Sequence, residues 1–300
     1  MSSFYRQTPL IGILAVVYLI VAAVFDTALG KTLFDLTLPS GSVWHFLVSD
    51  LFRPGRMKAV YTHYDRMTLI GVMPGAAPIA FGEELADLVK AADFMERREI
   101  GIFNIGGAGR VIADGKRYEL AKRDALYLPM GAKGVAFESA DASDPAKFYG
   151  CSAPAHAAHP VRHFAAAAMT GDQLGAQETS NKRVLTKYIH PDALPTCQIV
   201  MGYTRLDDGN VWNSIPPHTH DRRMEAYLYF DLPDQQAIVH LMGRPQATRH
   251  LIVRNDEAVL SPPWSIHCGC GTANYGFIWA MAGDNQTFSD MDAAPVSALM

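Results

Sequence analysis

Three histidines and one glutamate form the strongest chemical pattern in this sequence. The pattern begins with His218-Thr219-His220, continues with Glu225 five residues later, and is completed by His267. Side chains two residues apart point to the same face of a β-strand, so His218 and His220 can both reach one point inside a barrel. Imidazole nitrogens together with a carboxylate suit zinc, iron, manganese or nickel. The sequence therefore predicts a divalent-metal site at these four residues and leaves the metal open.

The order of the ligands separates this pattern from a chance pair of histidines. The alternative interpretation places His218 and His220 on the surface, beside a solvated arginine pair. However, Glu225 and His267 follow in the order in which a double-stranded barrel supplies a third and a fourth ligand, and Pro262 precedes His267 by five residues. The helical zinc motif His-Glu-x-x-His is absent from the sequence. These observations favour a metal site carried by β-strands.

The other histidines and cysteines are weaker candidates. His156, His159 and His163 lie in a loop rich in alanine and proline, without a pattern of carboxylate or cysteine ligands. We therefore predict a structural or surface role for them. Cys268 and Cys270 flank the predicted metal strand, and we interpret them as small residues of the barrel wall.

The composition indicates an ordinary globular protein. Hydrophobic residues make up 49% and charged residues 19% of the 300-residue chain, which is enough for one large β-structure or two modest domains. The net charge of −4, with no long basic runs, argues against a nucleic-acid partner. The four cysteines show no Cys-x-x-Cys pairing, which predicts reduced thiols in a cytoplasm.

One segment near the N-terminus is unusually apolar. No charged residue occurs from Gln7 to Phe25. Residues 10–25 are apolar almost throughout, a run slightly shorter than the ~20 residues of a membrane-spanning helix. Three interpretations stay open: a signal peptide or short membrane anchor, a helix packed on the barrel, or a start codon placed too far upstream. We predict a cytoplasmic protein, with export or membrane anchoring through residues 10–25 as the alternative.

The rest of the chain is predicted to be mainly β. Beyond Val43, short apolar runs alternate with turn residues. The clearest helix is predicted at Glu83–Phe94, and Asp114-Gly115 predicts a tight hairpin turn. Phe164–Asn181 is interpreted as a connection between domains. Strands are predicted at 58–63, 67–72, 100–105, 109–113, 125–129 and 134–138, then from 187 onward, and at 198–205, 225–230, 237–242, 250–254, 258–261 and 276–280.

Two pairs of segments suggest an internal duplication. Glu96–Asn104 is similar to Asp221–Tyr229, and Arg123–Lys133 is similar to Asn255–His267. The first copy has no counterpart of His267. The sequence therefore predicts an atypical segment at 1–42, a barrel without metal ligands at 43–165, and a metal-binding barrel at 180–300.

Longer motifs resemble a known family. Sequence motifs similar to those of the family occur at Phe94–Gly109, Arg123–Tyr127, Pro145–Tyr149, Ala153–His156, Thr179–Arg183, His218–Glu225 and Trp264–His267. Together they resemble the 5-keto-4-deoxyuronate isomerases (4-deoxy-L-threo-5-hexosulose-uronate ketol-isomerases) of the cupin superfamily, from about Phe46 to the C-terminus. The resemblance implies a bicupin fold of two double-stranded β-helix (jelly-roll) barrels with a few short helices. It also implies one zinc per chain at His218, His220, Glu225 and His267, and a homo-oligomer, usually a hexamer.

The resemblance implies an aldose–ketose isomerase of pectin breakdown. Its small-molecule substrate would be 5-dehydro-4-deoxy-D-glucuronate and its product 3-deoxy-D-glycero-2,5-hexodiulosonate. The proton-transferring base stays open among Tyr227, Tyr229 and His240. Arg223 and Arg183 are candidates for binding the substrate carboxylate, because arginine binds carboxylates bidentately.

Two other functions stay open. The same ligand set with iron or nickel supports oxygen chemistry in other cupins, which would make the chain a dioxygenase. A non-enzymatic sugar-binding cupin is the other alternative, although no helix-turn-helix segment of a sugar sensor is visible in the sequence.

Overall fold

A computed structural model describes residues 46–300, and the fold is given for that range. The apolar run from Gln7 to Phe25 and the whole of the predicted N-terminal segment at 1–42 lie outside the described residues. Within 46–300, no helix is long and apolar enough to cross a membrane.

The described part of the chain is mainly β, as predicted. The strands of its first half are β1 (Leu47–Val48), β2 (Arg56–Tyr61), β3 (Thr68–Met73), β4 (Ile79–Ala80), β5 (Arg98–Asn104), β6 (Gly109–Ala113), β7 (Lys116–Leu120), β8 (Ala125–Leu128), β9 (Ala136–Ser139), β10 (Phe148–Pro154) and β11 (Arg162–Phe164). The strands of its second half are β12 (Asp172–Leu174), β13 (Arg183–Ile189), β14 (Val200–Leu206), β15 (Trp212–Asn213), β16 (His218–Thr219), β17 (Arg223–Phe230), β18 (Ile238–Arg244), β19 (Ala247–Val253), β20 (Glu257–Ser261), β21 (Ile266–Gly271), β22 (Gly276–Gly283) and β23 (Asp292–Ala293).

Helices are short throughout the described range. The α-helix α1 spans Glu83–Leu88, and 3₁₀ turns lie at 166–168, 177–179 and 296–298. The prediction of a helix to Phe94 was wrong in its C-terminal half. Lys90 has a φ of 51°, a left-handed conformation that ends a right-handed helix.

Each half of the described chain forms a barrel of two facing sheets. The first barrel has a six-stranded sheet in the order β11-β8-β5-β10-β3-β2 and a four-stranded sheet in the order β4-β9-β6-β7. The second barrel has a seven-stranded sheet in the order β1-β20-β17-β22-β14-β13-β12 and a four-stranded sheet in the order β15-β21-β18-β19. Apart from the strand at one edge of each large sheet and the added β12, the two orders correspond strand by strand. The matching topology supports the duplication inferred from the sequence.

The two barrels differ in what fills them. In the first, apolar side chains from both sheets close the interior, among them Ile100, Ile102, Leu126, Phe137 and Phe148. In the second, all eight residues of the central strand β17 are buried, but they include a carboxylate and two tyrosines. Buried polar groups need partners. The interior of the second barrel therefore holds the polar groups from which a site can be built.

A buried carboxylate connects the barrels. Glu99 in β5 is fully buried and accepts hydrogen bonds from the backbone N–H groups of Cys197, Gln198 and Ile199 at 2.7–2.9 Å. The hydroxyl of Tyr127 donates a fourth, at 2.8 Å. These contacts hold the segment that leads into β14 of the second barrel against the central strand of the first.

Candidate metal centre

Three strands and two turns position the predicted ligands. His218 begins β16, and His220 follows directly after that short strand. The backbone N–H of Arg223 donates to the carbonyl of His220 (3.1 Å), and this turn leads the chain into β17, where Glu225 is the third residue. A second turn, from the N–H of Ser265 to the carbonyl of Pro262 (2.9 Å), precedes β21, where His267 is the second residue.

The structure brings the four predicted ligands together. The Nε2 atoms of His267 and His218 are 3.1 Å apart. Glu225 Oε2 lies 2.9 Å from His220 Nε2 and 2.8 Å from His267 Nε2. One ligand atom from each residue lies within 4.8 Å of all the others. Among residues 46–300 this is the only such cluster of histidine, cysteine and carboxylate groups.

The spacing of these atoms fits a single metal ion. Bonds of about 2.0–2.2 Å put neighbouring ligand atoms about 2.8–3.1 Å apart around one ion in an octahedral arrangement, and about 3.3–3.6 Å apart in a tetrahedral one. The close contacts in the cluster, at 2.8–3.1 Å, match the octahedral spacing. Three nitrogens and one oxygen also form a donor set that several divalent transition metals accept. The residues present therefore fit a metal site.

The local electrostatics favour the metal-binding protonation states. Burial would raise the pKa of Glu225, but the charge of His267 and hydrogen bonds from His220 and His267 hold it well below its usual range. Burial, reinforced by His267, lowers the pKa of His218 to about 3. Metals bind carboxylate and neutral imidazole, so both side chains are in the binding form at neutral pH.

The predicted substrate ligand Arg223 lies behind His220. Its Nη2 donates to the carbonyl of Asp290 (2.8 Å) and lies 3.1 Å from His220 Nδ1, which is itself 3.2 Å from the same carbonyl. Arg223 is 1% exposed and does not line the cavity above the cluster. In this position the carbonyl of Asp290 can accept a hydrogen bond from Nδ1–H of His220, which leaves Nε2 free for a metal.

The other predicted substrate ligand, Arg183, lines that cavity. The cavity has a volume of about 210 Å³ and contains His218, His220 and Glu225 in its lining. Nη1 of Arg183 donates to the carbonyl of Asn181 (2.8 Å), and Arg183 forms no ion pair within the described range. Burial lowers its pKa. The apolar part of the lining comprises Leu174, Leu185, Phe277, Trp279, Met281, Phe288 and Met291.

Only one of the three candidate bases reaches the cavity. Tyr227 lines it, with its hydroxyl 2.9 Å from Ser214 Oγ and its ring 5.4 Å from that of His267. Tyr229 and His240 are buried behind it and joined to each other, Oη to Nδ1 at 2.7 Å. Burial, followed by the charge of His267, lowers the pKa of His240 to about 3.

Sequence reasoning missed two contributors to this site. Ser214 and Asp290 lie in loops, and neither carries a motif. Their positions depend on where the chain folds back between strands, and no signal in the sequence identifies them.

The weaker candidates stay apart from the cluster. His156 is exposed, and His163 Nε2 lies 3.2 Å from Asp124 Oδ2. Cys268 is buried in β21, whereas Cys270 is partly exposed. All four cysteines are free thiols.

Comparison with known proteins places this geometry in a family. The profile of the KduI/IolB family matches residues 75–296. A 4-deoxy-L-threo-5-hexosulose-uronate ketol-isomerase of Dickeya dadantii (strain 3937) is 48% identical, with 85% of this chain and 91% of that protein covered. A protein of the same name from Halalkalibacterium halodurans is 50% identical, with 82% and 89% covered.

Solved structures share the fold at low sequence identity. An IolB-like protein from Salmonella typhimurium LT2 superposes with a TM-score of 0.65 at 16% identity, covering 81% of this chain and 94% of that chain. Oxalate decarboxylase of Bacillus subtilis superposes with a TM-score of 0.57 at 9% identity, covering 81% and 78%. The fold is therefore cupin-like, as predicted. On the match of its sequence over most of its length, the chain belongs to the KduI/IolB family.

Proposed function

We propose that the chain is a metal-dependent ketol-isomerase acting on 4-deoxy-L-threo-5-hexosulose uronate. The observation that carries the proposal is the cavity itself. Three residues of the four-residue cluster, His218, His220 and Glu225, line it together with Arg183, a cation without a carboxylate partner among the described residues. An acidic sugar with a carbonyl and a neighbouring hydroxyl matches both features. The names of relatives about half identical over most of the chain support the same reaction.

The reaction moves one proton between neighbouring carbons. The C2 proton of the aldehyde sugar is removed, an enediolate forms, and a proton returns at C1, while a second proton moves from the C2 hydroxyl to the C1 oxygen. When bound, a divalent metal supplies Lewis-acid stabilisation of the charge that develops on these oxygens. The difficulty of the reaction is the weakly acidic C–H bond, so placement of the sugar beside a proton-transferring group is the task of the protein.

Arg183 binds the substrate carboxylate in this proposal. A guanidinium fits a carboxylate with two parallel hydrogen bonds, and the interaction is strong where burial removes competing water. Nη1 of Arg183 is held by the carbonyl of Asn181, which fixes the direction of the side chain. The carboxylate end of the sugar therefore lies at Arg183 and the carbonyl end at the metal ligands.

Tyr227 donates a hydrogen bond to a substrate oxygen in this proposal. Burial, reinforced by the charge of Glu225, raises the pKa of Tyr227 well above its usual value, so its hydroxyl stays protonated at neutral pH. Ser214 Oγ fixes the position of that hydroxyl. Arg223 acts indirectly, because it holds the carbonyl of Asp290 against His220.

The metal is proposed to be zinc, on the strength of the family resemblance and the three-histidine, one-carboxylate donor set. A homohexamer in the cytoplasm and the domain boundaries at 43–165 and 180–300 stay predictions. Metal analysis of purified protein tests the zinc assignment, and light scattering during size-exclusion chromatography tests the hexamer.

Proton NMR of a reaction mixture tests the proposed activity. We expect the C1 signal of 4-deoxy-L-threo-5-hexosulose uronate to be replaced by a C1 methylene signal of the ketose, without consumption of oxygen. An unchanged substrate, or a product with a cleaved carbon chain, would contradict the proposal.

A further inference from the structure

A buried arginine at the mouth of the first barrel has no charged partner among residues 46–300. Arg98 begins β5 and is 6% exposed. Its Nε donates to Ser152 Oγ, and its Nη2 donates to the carbonyls of Arg66 and Ser152 and to Thr68 Oγ1, at 2.6–3.2 Å. Within residues 46–300 no carboxylate lies within ion-pair distance, and Nη1 makes no hydrogen bond. A buried charge without a counter-charge is costly, so its presence calls for an acceptor.

Arg98 lines a cavity that contains several cations and no carboxylate. The cavity has a volume of about 450 Å³. Its basic lining residues are His63, Arg66, Lys90, Arg97 and Arg98. Lys90 and Arg97 pair with the exposed carboxylates of Asp87 and Glu96, which are not among the lining residues. Arg66 and Arg98 have no ion pair within the described residues. The local field therefore favours an anion.

The remaining lining suits the apolar part of a small organic molecule. Tyr61, Leu88, Val89, Phe94 and Pro154 supply ring and aliphatic surface. The guanidinium of Arg98 lies 5.5 Å from the ring centroid of Phe94, and this contact fixes its plane. Pockets that bind small molecules combine such apolar surface with a few fixed polar groups.

This cavity lies at the start of the strand that corresponds to the metal-site strand of the second barrel. β5 and β17 are the matching central strands of the two large sheets. Arg98 enters β5 as Arg223 enters β17, so Ile100 occupies the place of the metal ligand Glu225. The first barrel thus has an apolar interior where the second has ligands, but it keeps an opening at the same end, lined by cations.

We propose that this opening in the first barrel is a second binding site, specific for a small anion that carries a carboxylate or a phosphate group. Nη1 of Arg98 donates to one oxygen of the anion, Arg66 and Lys90 neutralise its charge, and Phe94 and Pro154 contact its body. The proposal concerns the first barrel alone and does not rest on the proposed isomerase activity.

Isothermal titration calorimetry of the full chain tests the site with three probes. Inorganic phosphate and D-galacturonate represent the two anionic groups, and D-galactose is the neutral control. The variants are Arg98→Lys, Arg66→Gln and Arg183→Lys, with Arg56→Gln as a matched control. Arg56 is an exposed arginine at the far end of β2, outside the lining of the cavity. Arg66 is exposed and its side chain makes no hydrogen bond within the described residues, so its substitution keeps the test available if Arg98→Lys does not fold.

We expect at least one anion to bind and D-galactose not to bind. Both Arg98→Lys and Arg66→Gln should weaken that binding by about tenfold or more, because the lysine lacks the fixed Nη1 donor of the guanidinium and the glutamine lacks the charge. Arg56→Gln should leave it unchanged, and Arg183→Lys should leave the binding event assigned to the first barrel unchanged. The tighter of the two anions identifies the group recognised. Absence of binding by both anions, equal binding of galactose, or equal affinity in the Arg66 variant and the Arg56 control would overturn the proposal.

Discussion

The candidate metal centre shows which residues of a site can be identified from the sequence alone. His218, His220, Glu225 and His267 were identified from type and spacing alone, and the structure brings them together. Strand periodicity made this possible, because it fixes which side chains share a face. It does not fix how far a side chain reaches. Arg223 shares the face of Glu225, yet it is covered by the chain near Asp290 and does not reach the cavity.

The ligand set leads to the first prediction. Replacement of His267 by alanine leaves three ligand atoms and opens a buried gap, so we expect bound metal to fall below stoichiometry and turnover to fall by about a hundredfold or more. Metal analysis and a kinetic assay on the same preparation measure both. His250→Ala, at an exposed histidine of β19, is the control and should leave both unchanged. An active His267→Ala variant without metal would contradict the assignment of His267 as a metal ligand required for turnover.

The role of Arg183 leads to the second prediction. Lysine keeps the charge but loses the bidentate geometry, so Arg183→Lys should raise KM for the uronate by about tenfold to a hundredfold, with a smaller change in kcat. Steady-state kinetics measure the two parameters separately. Arg205→Lys, at an exposed arginine of the neighbouring strand β14, is the matched control. Equal KM values for the two variants would show that the carboxylate binds elsewhere.

At the scale of elements, the alternation of apolar and polar residues decided which strands could be predicted from the sequence. The tight turn at Asp114-Gly115 joins β6 and β7 as predicted, with positive φ at both residues. By contrast β10, Phe148–Pro154, was not predicted. It is buried on both faces and contains glycine, serine and alanine, so it shows neither period-two alternation nor a strongly apolar run. Its place between β5 and β3 follows from pairing distant in sequence.

The connection at Glu99 leads to the third prediction. Its carboxylate accepts four hydrogen bonds in a fully buried position, and glutamine turns one acceptor into a donor that faces N–H groups. We expect Glu99→Gln to lower the free energy of unfolding by about 2–4 kcal/mol, measured by denaturant titration.

Glu119→Gln is the matched control for Glu99→Gln. Glu119 pairs with Arg110 on the surface, where such pairs contribute about 0–1 kcal/mol. If both variants lose the same free energy of unfolding, the buried Glu99 contact contributes no more stability than a surface ion pair, and the prediction is wrong.

At the scale of the whole molecule, one edge strand crosses to the other barrel in a way the sequence did not indicate. β1, Leu47–Val48, precedes every strand of the first barrel, yet it pairs with β20 of the second. The corresponding edge strand of the first barrel, β11, stays with its own half and pairs with β8. Such short strands carry too few residues for a periodic signal. Their pairing depends on the finished arrangement of both sheets.

Buried histidines lead to a fourth prediction, on pH and stability. Burial lowers the pKa of His240 and of His218 from 6.5 to about 3 in the folded protein. Between pH 6.5 and about 3 the unfolded chain binds protons that the folded chain does not. Unfolding therefore takes up protons in this window, and stability falls as the pH falls, by up to about 1.4 kcal/mol per pH unit for each histidine.

Denaturant titrations of chelator-treated protein at pH 7, 6 and 5 measure this dependence. We expect a progressive loss of unfolding free energy, and His250→Gln, at an exposed position, should show the same slope as the wild type. Stability that stays constant or rises between pH 7 and pH 5 would contradict neutral buried histidines.

The most direct measurement is anaerobic turnover of 4-deoxy-L-threo-5-hexosulose uronate by the purified protein, before and after chelation and again after metal is added back. The four-ligand centre predicts full turnover without oxygen, loss of turnover on chelation, and recovery with a divalent metal, zinc first among those tested. Turnover that survives complete removal of metal, or that requires oxygen, would contradict a metal-dependent isomerase at His218, His220, Glu225 and His267.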